Sequence, residues 1–247
     1  LIQANAVNFK GWACSAGSEG LFIDWKGDVW PATCFVQSRR HLLGSIYDDQ
    51  PLELLDKYVK CEAKNCPCLV EIYLPKFKST ELQLTESSEG TVTLDNFDAI
   101  SRASVHDKSR KYIMWAFGRK CNFSCSYCDD QSHSNNDTDM VTKSAIDKVL
   151  EYSHDFRNKK PLMWSFTGGE PTINPFFLDL VKTLHMKGDT ITVASNGSQS
   201  SEYYAELSLY ANINISVHFE YLKPAKLKKV VSAIITQNPS WFGLNFM

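Results

Sequence analysis

The chain has 247 residues, 43% of them hydrophobic and 22% charged, enough apolar mass for a true core and room for one or two domains. With a formal net charge of -2 and both signs interspersed, nothing electrostatic points to a nucleic-acid or membrane surface as the main partner. No run of about eighteen apolar residues and no charged-then-apolar leader is visible, so neither a membrane span nor a signal peptide is expected and the chain reads as cytoplasmic. The first residue is Leu1, and Phe242 to Met247 read as a strand with nothing after it, so both ends are expected to be cut and a leader could have been lost.

From the amino terminus, Leu21 to Trp25 alternates like a strand, Lys26-Gly27-Asp28 makes a hairpin turn, and Val29 to Thr33 returns. Pro51 to Val59 places Leu52, Leu54, Leu55 and Val59 at the spacing of a short amphipathic helix that delivers the chain to Cys61, Cys66 and Cys68. Residues 1–75 therefore form a small cysteine-rich module. Lys76 to Thr91 is rich in Ser, Thr and Glu, and residues 76–108 read as a linker.

From residue 109 to 247 strands alternate with helices: strands at Tyr112–Phe117, Leu162–Phe166, Thr190–Ala194, Ile213–Phe219 and Phe242 onward; helices at Val141–Phe156, Pro175–Met186, Ser201–Tyr210 and Pro224–Thr236. Asn174 can cap a helix beginning at Pro175, and Gly188 stands where a left-handed stop is needed. The lysines between Lys223 and Lys229 read as the solvated face of the last helix. The fold class is α/β: a partial parallel (β/α) barrel, five strands present and incomplete at its carboxyl end, preceded by the hairpin-and-helix module. In the fourth strand Ile213, Ile215, Val217 and Phe219 share one face. Asn214, Ser216, His218 and Glu220 share the other, so the lumen is expected to be polar and to bind something. Trp30, Trp115 and Trp164 read as core, and Asn135 to Asp139 as a solvated loop.

Eight cysteines fall into two groups, five between Cys14 and Cys68 and three between Cys121 and Cys128; odd counts and tight spacing favour metal over disulfides. Cys121-Asn-Phe-Ser-Cys125-Ser-Tyr127-Cys128 follows the first barrel strand. Three thiolates on one loop can hold three irons of a four-iron cluster and leave the fourth iron open to a ligand. The alternative is a zinc knuckle with His133 as fourth ligand. The second strand ends in Gly168-Gly169-Glu170-Pro171, where glycines let a ligand approach the backbone and Glu170 can accept hydrogen bonds from an ammonium group.

These two motifs together resemble the radical S-adenosylmethionine superfamily, whose signature is Cys-x3-Cys-x-aromatic-Cys after the first barrel strand. The resemblance implies that Cys121, Cys125 and Cys128 hold a 4Fe-4S cluster, that Gly168 to Pro171 contact the methionine amino group, and that Tyr127 lies against the adenine. It implies further cofactor contacts from Ser195, Asn196, Ser216 and His218. The reduced cluster would cleave S-adenosylmethionine to a 5′-deoxyadenosyl radical that abstracts hydrogen from a substrate, with flavodoxin or ferredoxin as electron donor. The family's barrel usually has six strands, one more than is read here.

The residues around Cys14 and Cys34, with Phe9-Lys-Gly-Trp12 before the first and Gly27-Asp-Val-Trp30 before the second, are similar to auxiliary-cluster modules called SPASM and twitch domains. The likeness implies a second 4Fe-4S cluster on four of Cys14, Cys34, Cys61, Cys66 and Cys68, and either a preceding barrel or a tandem protein. A structural zinc site is the alternative. Because such modules accompany peptide modification, an oxidoreductase acting on a peptide or protein is expected first. A small molecule, such as a sugar or nucleoside derivative, is the second substrate class, and a non-catalytic zinc module the reading from another class.

Overall fold

The computed structural model describes residues 9–38, 41–55, 58–61, 74–79, 91–92, 97–100, 109–128 and 133–247. Cys66, Cys68 and most of the expected linker lie outside the described residues. Among those described, no helix is long and apolar enough to cross a membrane.

The amino-terminal half is built of short pieces: β1 (Ala13–Cys14), β2 (Gly20–Ile23), β3 (Asp28–Trp30), α1 (Cys34–Ser38), β4 (Gly44–Ser45), β5 (Tyr58–Lys60), β6 (Lys76–Ser79), β7 (Thr91–Val92) and β8 (Phe97–Ile100). The expected hairpin is β2–β3. Its turn is organised by the buried Asp24 carboxylate, which accepts the Lys26 and Asp28 amides at 2.8 and 3.1 Å and the Trp30 indole N–H at 3.0 Å. The expected helix over Pro51–Val59 is absent: residues 51–55 have no regular structure and Tyr58–Lys60 is a strand. Nor is the stretch from Lys76 a plain linker, because β6, β7 and β8 join β1 and β5 in a five-stranded sheet of order β7-β5-β1-β6-β8.

The second half alternates: β9 (Lys111–Ala116), α2 (Lys143–Arg157), β10 (Leu162–Thr167), α3 (Phe177–Met186), β11 (Thr190–Ser195), α4 (Ser201–Leu207), β12 (Asn212–Val217), α5 (Pro224–Thr236) and β13 (Phe242–Phe246). The helix boundaries follow local chemistry. Thr142 and Ser200 cap α2 and α4 through their hydroxyls. Asn174 accepts the Phe176 amide at 2.9 Å, the bond expected of a cap ahead of Pro175, although the regular helix begins only at Phe177. Gly188, at φ +80°, ends α3 with the Asp189 amide on the Leu184 carbonyl and its own amide on the His185 carbonyl, a double closure that relieves two orphan carbonyls.

β9 to β13 pair in parallel in chain order, and β2 adds in parallel to the other side of β9, with Leu21 opposite Ile113 and Ile23 opposite Trp115. The eight-stranded sheet thus runs β13-β12-β11-β10-β9-β2-β3-β4 and includes the amino-terminal hairpin. Leu162, Trp164 and Phe166 of β10, Ile191 and Val193 of β11, and Ile213, Ile215 and Val217 of β12 face the helices in one core. Trp30, Trp115 and Trp164 are buried as expected. The opposite faces of β9 and β10 meet a second apolar cluster, in which Tyr112, Ala116, Met114 and Met163 pack with Phe22, Trp30, Phe35 and Cys14. Farther along the sheet that face is polar. The alternation in β12 stops at Val217, because the chain then enters a 3-10 turn (Phe219–Tyr221) and Phe219 is 62% exposed, not part of the buried face.

Candidate active site

The cysteine loop leaves β9 and has no helix or strand of its own between Cys121 and Cys128, so its backbone groups must find partners in other elements. The Gly-Gly-Glu-Pro segment supplies several. Gly169 donates to the Gly118 carbonyl at 3.1 Å and Glu170 to the Lys120 carbonyl at 2.8 Å. A Cβ on Gly169 would stand 2.2 Å from the Lys120 carbonyl oxygen and 2.6 Å from that of Arg119; one on Gly168, at φ +110°, would stand 2.7 Å from the Gly118 oxygen. What approaches these glycines is the cysteine loop itself, rather than the ligand expected from sequence.

Glu170 also differs from expectation. Its carboxylate is 1% exposed. Oε1 accepts the Thr172 amide, the Thr172 hydroxyl and the Ser195 hydroxyl at 3.1, 2.5 and 2.8 Å, and Oε2 accepts the Asn196 amide at 2.5 Å. Because Ser195 gives its only proton to Glu170, the Tyr204 hydroxyl must be the donor in the 2.6 Å bond between them. Burial raises the Glu170 pKa and these bonds act against the rise. The carboxylate therefore ties the end of β10 to the end of β11, with Pro171 opening the 3-10 turn Pro171–Ile173 beside it.

The end of β11 reaches the loop in turn. Asn196 Nδ2 donates to the Asn122 side chain at 2.9 Å and lies 3.8 Å from Cys121 Sγ, which also accepts the Phe123 amide at 3.4 Å. At the end of β12, His218 Nδ1 lies 3.2 Å from Cys125 Sγ and 2.5 Å from Tyr127 Oη, and the His218 and Tyr127 rings stack at 5.9 Å. Desolvation lowers the His218 pKa, raises those of the Cys121 and Cys125 thiols, and pushes Tyr127 up to about 12. Asn135 to Asp139 is solvated as expected and also meets the cysteine loop: Asn135 Nδ2 donates to Ser124 Oγ at 2.8 Å and Lys120 pairs with Asp137 at 2.8 Å, while just ahead of the stretch the Ser134 carbonyl accepts the Cys121 N–H at 2.9 Å.

Cys121, Cys125 and Cys128 are free, and all three border one cavity of about 290 Å³ together with Tyr127, Gly168, Gly169, Glu170, Ser195, Asn196, Ser216 and His218. Every site residue read from the second half lines it except Pro171. The donor set suits an iron–sulfur cluster: three thiols on one loop, with amide N–H groups aimed at Cys121 sulfur. It suits a single zinc ion less well. His133, the expected fourth zinc ligand, turns its Nε2 to the Phe123 carbonyl. Thr172, Tyr204, Asn122 and Tyr221 were not read from the sequence; each is a lone polar residue whose role depends on a contact across elements.

In the first half Cys14 and Cys61 are buried and Cys34 is half-buried. The β1–β5 register sets Cys14 opposite Val59, and Cys61 donates its amide to Trp12 at 2.8 Å, so Cys14 and Cys61 share one face of the ladder.

Residues 115–238 match the Radical SAM superfamily. Among curated proteins, the chain is 29% identical over 124 residues to a GTP 3',8-cyclase of Rhizobium etli, covering 48% of this chain and 35% of that protein. It is 27% identical over 126 residues to the GTP 3',8-cyclase of Rhodopseudomonas palustris (48% and 36%), and 22% identical over 130 residues to a probable GTP 3',8-cyclase of Methanococcus aeolicus (51% and 42%). The chain therefore spans well under half the length of these relatives.

Proposed function

We propose that this chain, which belongs to the radical SAM superfamily, carries the cofactor-cleaving site of an enzyme that abstracts hydrogen from a small-molecule substrate of nucleotide type. The observation that carries the reading is the convergence of three free thiols, the Gly168–Glu170 turn, Ser195, Asn196, Ser216 and His218 on one cavity. Cys121, Cys125 and Cys128 would hold a 4Fe-4S cluster, and Tyr127, Gly168, Gly169, Glu170, Pro171, Ser195, Asn196, Ser216 and His218 the S-adenosylmethionine. When bound and reduced, the cluster supplies the electron that cleaves the sulfonium and yields a 5′-deoxyadenosyl radical. Gly168, Gly169 and Glu170 fix the path of the cysteine loop, Asn196 offers an N–H toward Cys121 sulfur, and His218 orients Tyr127.

The substrate class comes from the relatives, each named for a cyclase acting on GTP; they favour the small-molecule alternative over the peptide suggested by the amino-terminal cysteines. Cys14, Cys34 and Cys61, with Cys66 and Cys68, would provide ligands for an auxiliary cluster, a one-electron donor such as flavodoxin or ferredoxin the reductant, and the cytoplasm the setting. Anaerobic reconstitution with iron and sulfide, then reduction with S-adenosylmethionine, is expected to release 5′-deoxyadenosine from the wild-type chain and none from Cys125→Ala, with release stimulated by GTP. A colourless, zinc-loaded protein would overturn the reading; stimulation by peptides but not nucleotides would overturn the substrate class.

A further inference from the structure

The loop amides on either side of Cys125 are taken by two consecutive residues of the turn that follows β12. Ser126 N–H donates to both carboxylate oxygens of Glu220 at 3.1 Å, and the Ser126 hydroxyl donates to Glu220 Oε1 at 2.5 Å. The Tyr221 hydroxyl accepts the Ser124 N–H at 2.9 Å, while the Tyr221 ring lies flat on Phe123, with centroids 4.3 Å apart and planes 7° from parallel. These contacts bridge more than ninety positions of sequence. They hold the middle of a segment that forms no helix or strand of its own. The turn is anchored in its turn: β12 pairs with β11 on one side and β13 on the other, and the Tyr221 amide donates to the His218 carbonyl at 3.0 Å.

We infer that Glu220 and Tyr221 are positioning residues, a clasp that registers the middle thiol of the cysteine loop against the sheet, resting on the function proposed above. Neither lies within the set expected to touch cofactor. A carboxylate is suited to the task because it can accept an amide and a hydroxyl together, and charge-assisted bonds of this kind are shorter and stronger than neutral ones. It has a counterpart at the other end of the loop, where Gly169 and Glu170 hold residues Gly118 and Lys120 by backbone bonds. Between the two holds the loop has no freedom to drift from the cavity, and Cys121 and Cys125 keep their spacing whether or not iron is bound.

The test compares wild type, Glu220→Ala, Glu220→Gln and Tyr221→Phe. Glu220 is exposed and each change leaves the core intact. Hydrogen exchange of the metal-free chains comes first. Exchange at Ser126 should speed up about tenfold in Glu220→Ala, and less in Glu220→Gln, whose amide oxygen still accepts; Ser124 should respond in Tyr221→Phe. After anaerobic reconstitution, resistance of the bound iron to a chelator should fall in the same order, and the paramagnetic resonance spectrum of the reduced protein should broaden in Glu220→Ala and recover in Glu220→Gln. Unchanged exchange at residues 121–128 in Glu220→Ala, or wild-type iron retention and spectrum in that variant, overturns the clasp. If the wild-type chain takes up no iron, the proposed function fails, and the exchange comparison alone then decides the clasp.

Discussion

The two cysteine groups are set in opposite surroundings. Cys14 and Cys61 are 7% and 8% exposed, and Cys14 packs with Phe22, Trp30, Phe35 and Val59, with Cys34 against the same cluster. Cys121 and Cys125 are half-buried and Cys128 is exposed, on a loop whose neighbours are Asn196, His218, Glu220 and Tyr221. An apolar shell controls solvent access and suits a closed site, whereas a polar rim with thiols at the edge of a cavity suits one that must admit a ligand. On the function proposed above, the contrast would separate a site for chemistry from a site for holding.

The largest expected effect breaks that contrast directly. Replacing Cys121, Cys125 and Cys128 by Ala should reduce deoxyadenosine formation to background and remove about four irons per chain. Replacing Cys14 and Cys34 should lower iron by a similar amount while some cofactor cleavage survives. Equal loss of cleavage from both sets would show that the groups are not functionally distinct.

The next contrast lies between the two ends of the parallel sheet. At the end away from the cavity, the Arg157 guanidinium holds the fully buried Asp189 carboxylate through two bonds of 2.7 and 2.8 Å, and Asp189 also accepts the Leu162 amide and the Trp164 indole N–H at 2.9 Å. Asp189→Ala leaves four N–H donors unanswered and should cost about 3–5 kcal/mol in denaturant unfolding. The activity per folded molecule should remain. Gly169→Ala acts at the other end, where a Cβ would press on two loop carbonyls; it should cost about 1–3 kcal/mol and, unlike Asp189→Ala, weaken iron retention beyond what the lost stability explains. Equal effects on retention would erase the distinction between scaffold end and site end.

The same contrast runs through what could be read in advance. The βα alternation was legible because β9 to β12 each have one face of Leu, Ile, Val, Phe or Trp packed on helices, and the stop at Gly188 is local chemistry. The spacing of Cys121, Cys125 and Cys128 was legible because the ligands lie on one loop. The parallel pairing of β2 with β9 was not, since it joins segments about ninety residues apart and leaves no periodic trace. The helix expected over Pro51–Val59 failed for a related reason. Leu52 packs into the main core, Leu55 against Gly17, and Val59 into the second cluster, so the apolar residues answer to separate neighbours and do not form one helical face. Glu220 read as the last polar residue on the lumen face of the fourth strand and Tyr221 carried no signal; their hold on the cysteine loop depends on contacts more than ninety positions away.

The smallest expected effect concerns His218, where the two thiol settings can be compared by pH. Desolvation lowers its pKa while the neighbouring Glu220 charge opposes that, so the folded metal-free chain binds fewer protons at His218 than the unfolded chain does. Stability from this site should therefore be intact above the ordinary histidine value of about 6.5 and should fall as pH drops below it toward the lower folded value. His218→Gln removes the titration. The difference in denaturation midpoint between wild type and His218→Gln should be constant at neutral and alkaline pH and shift against the wild type in mild acid. No such shift is expected for Cys14→Ala, whose site lies among apolar side chains. A wild-type-minus-His218→Gln difference that is the same at both pH values would mean that the imidazole accepts its proton beside Cys125 and Tyr127 without cost, and that burial does not govern its charge.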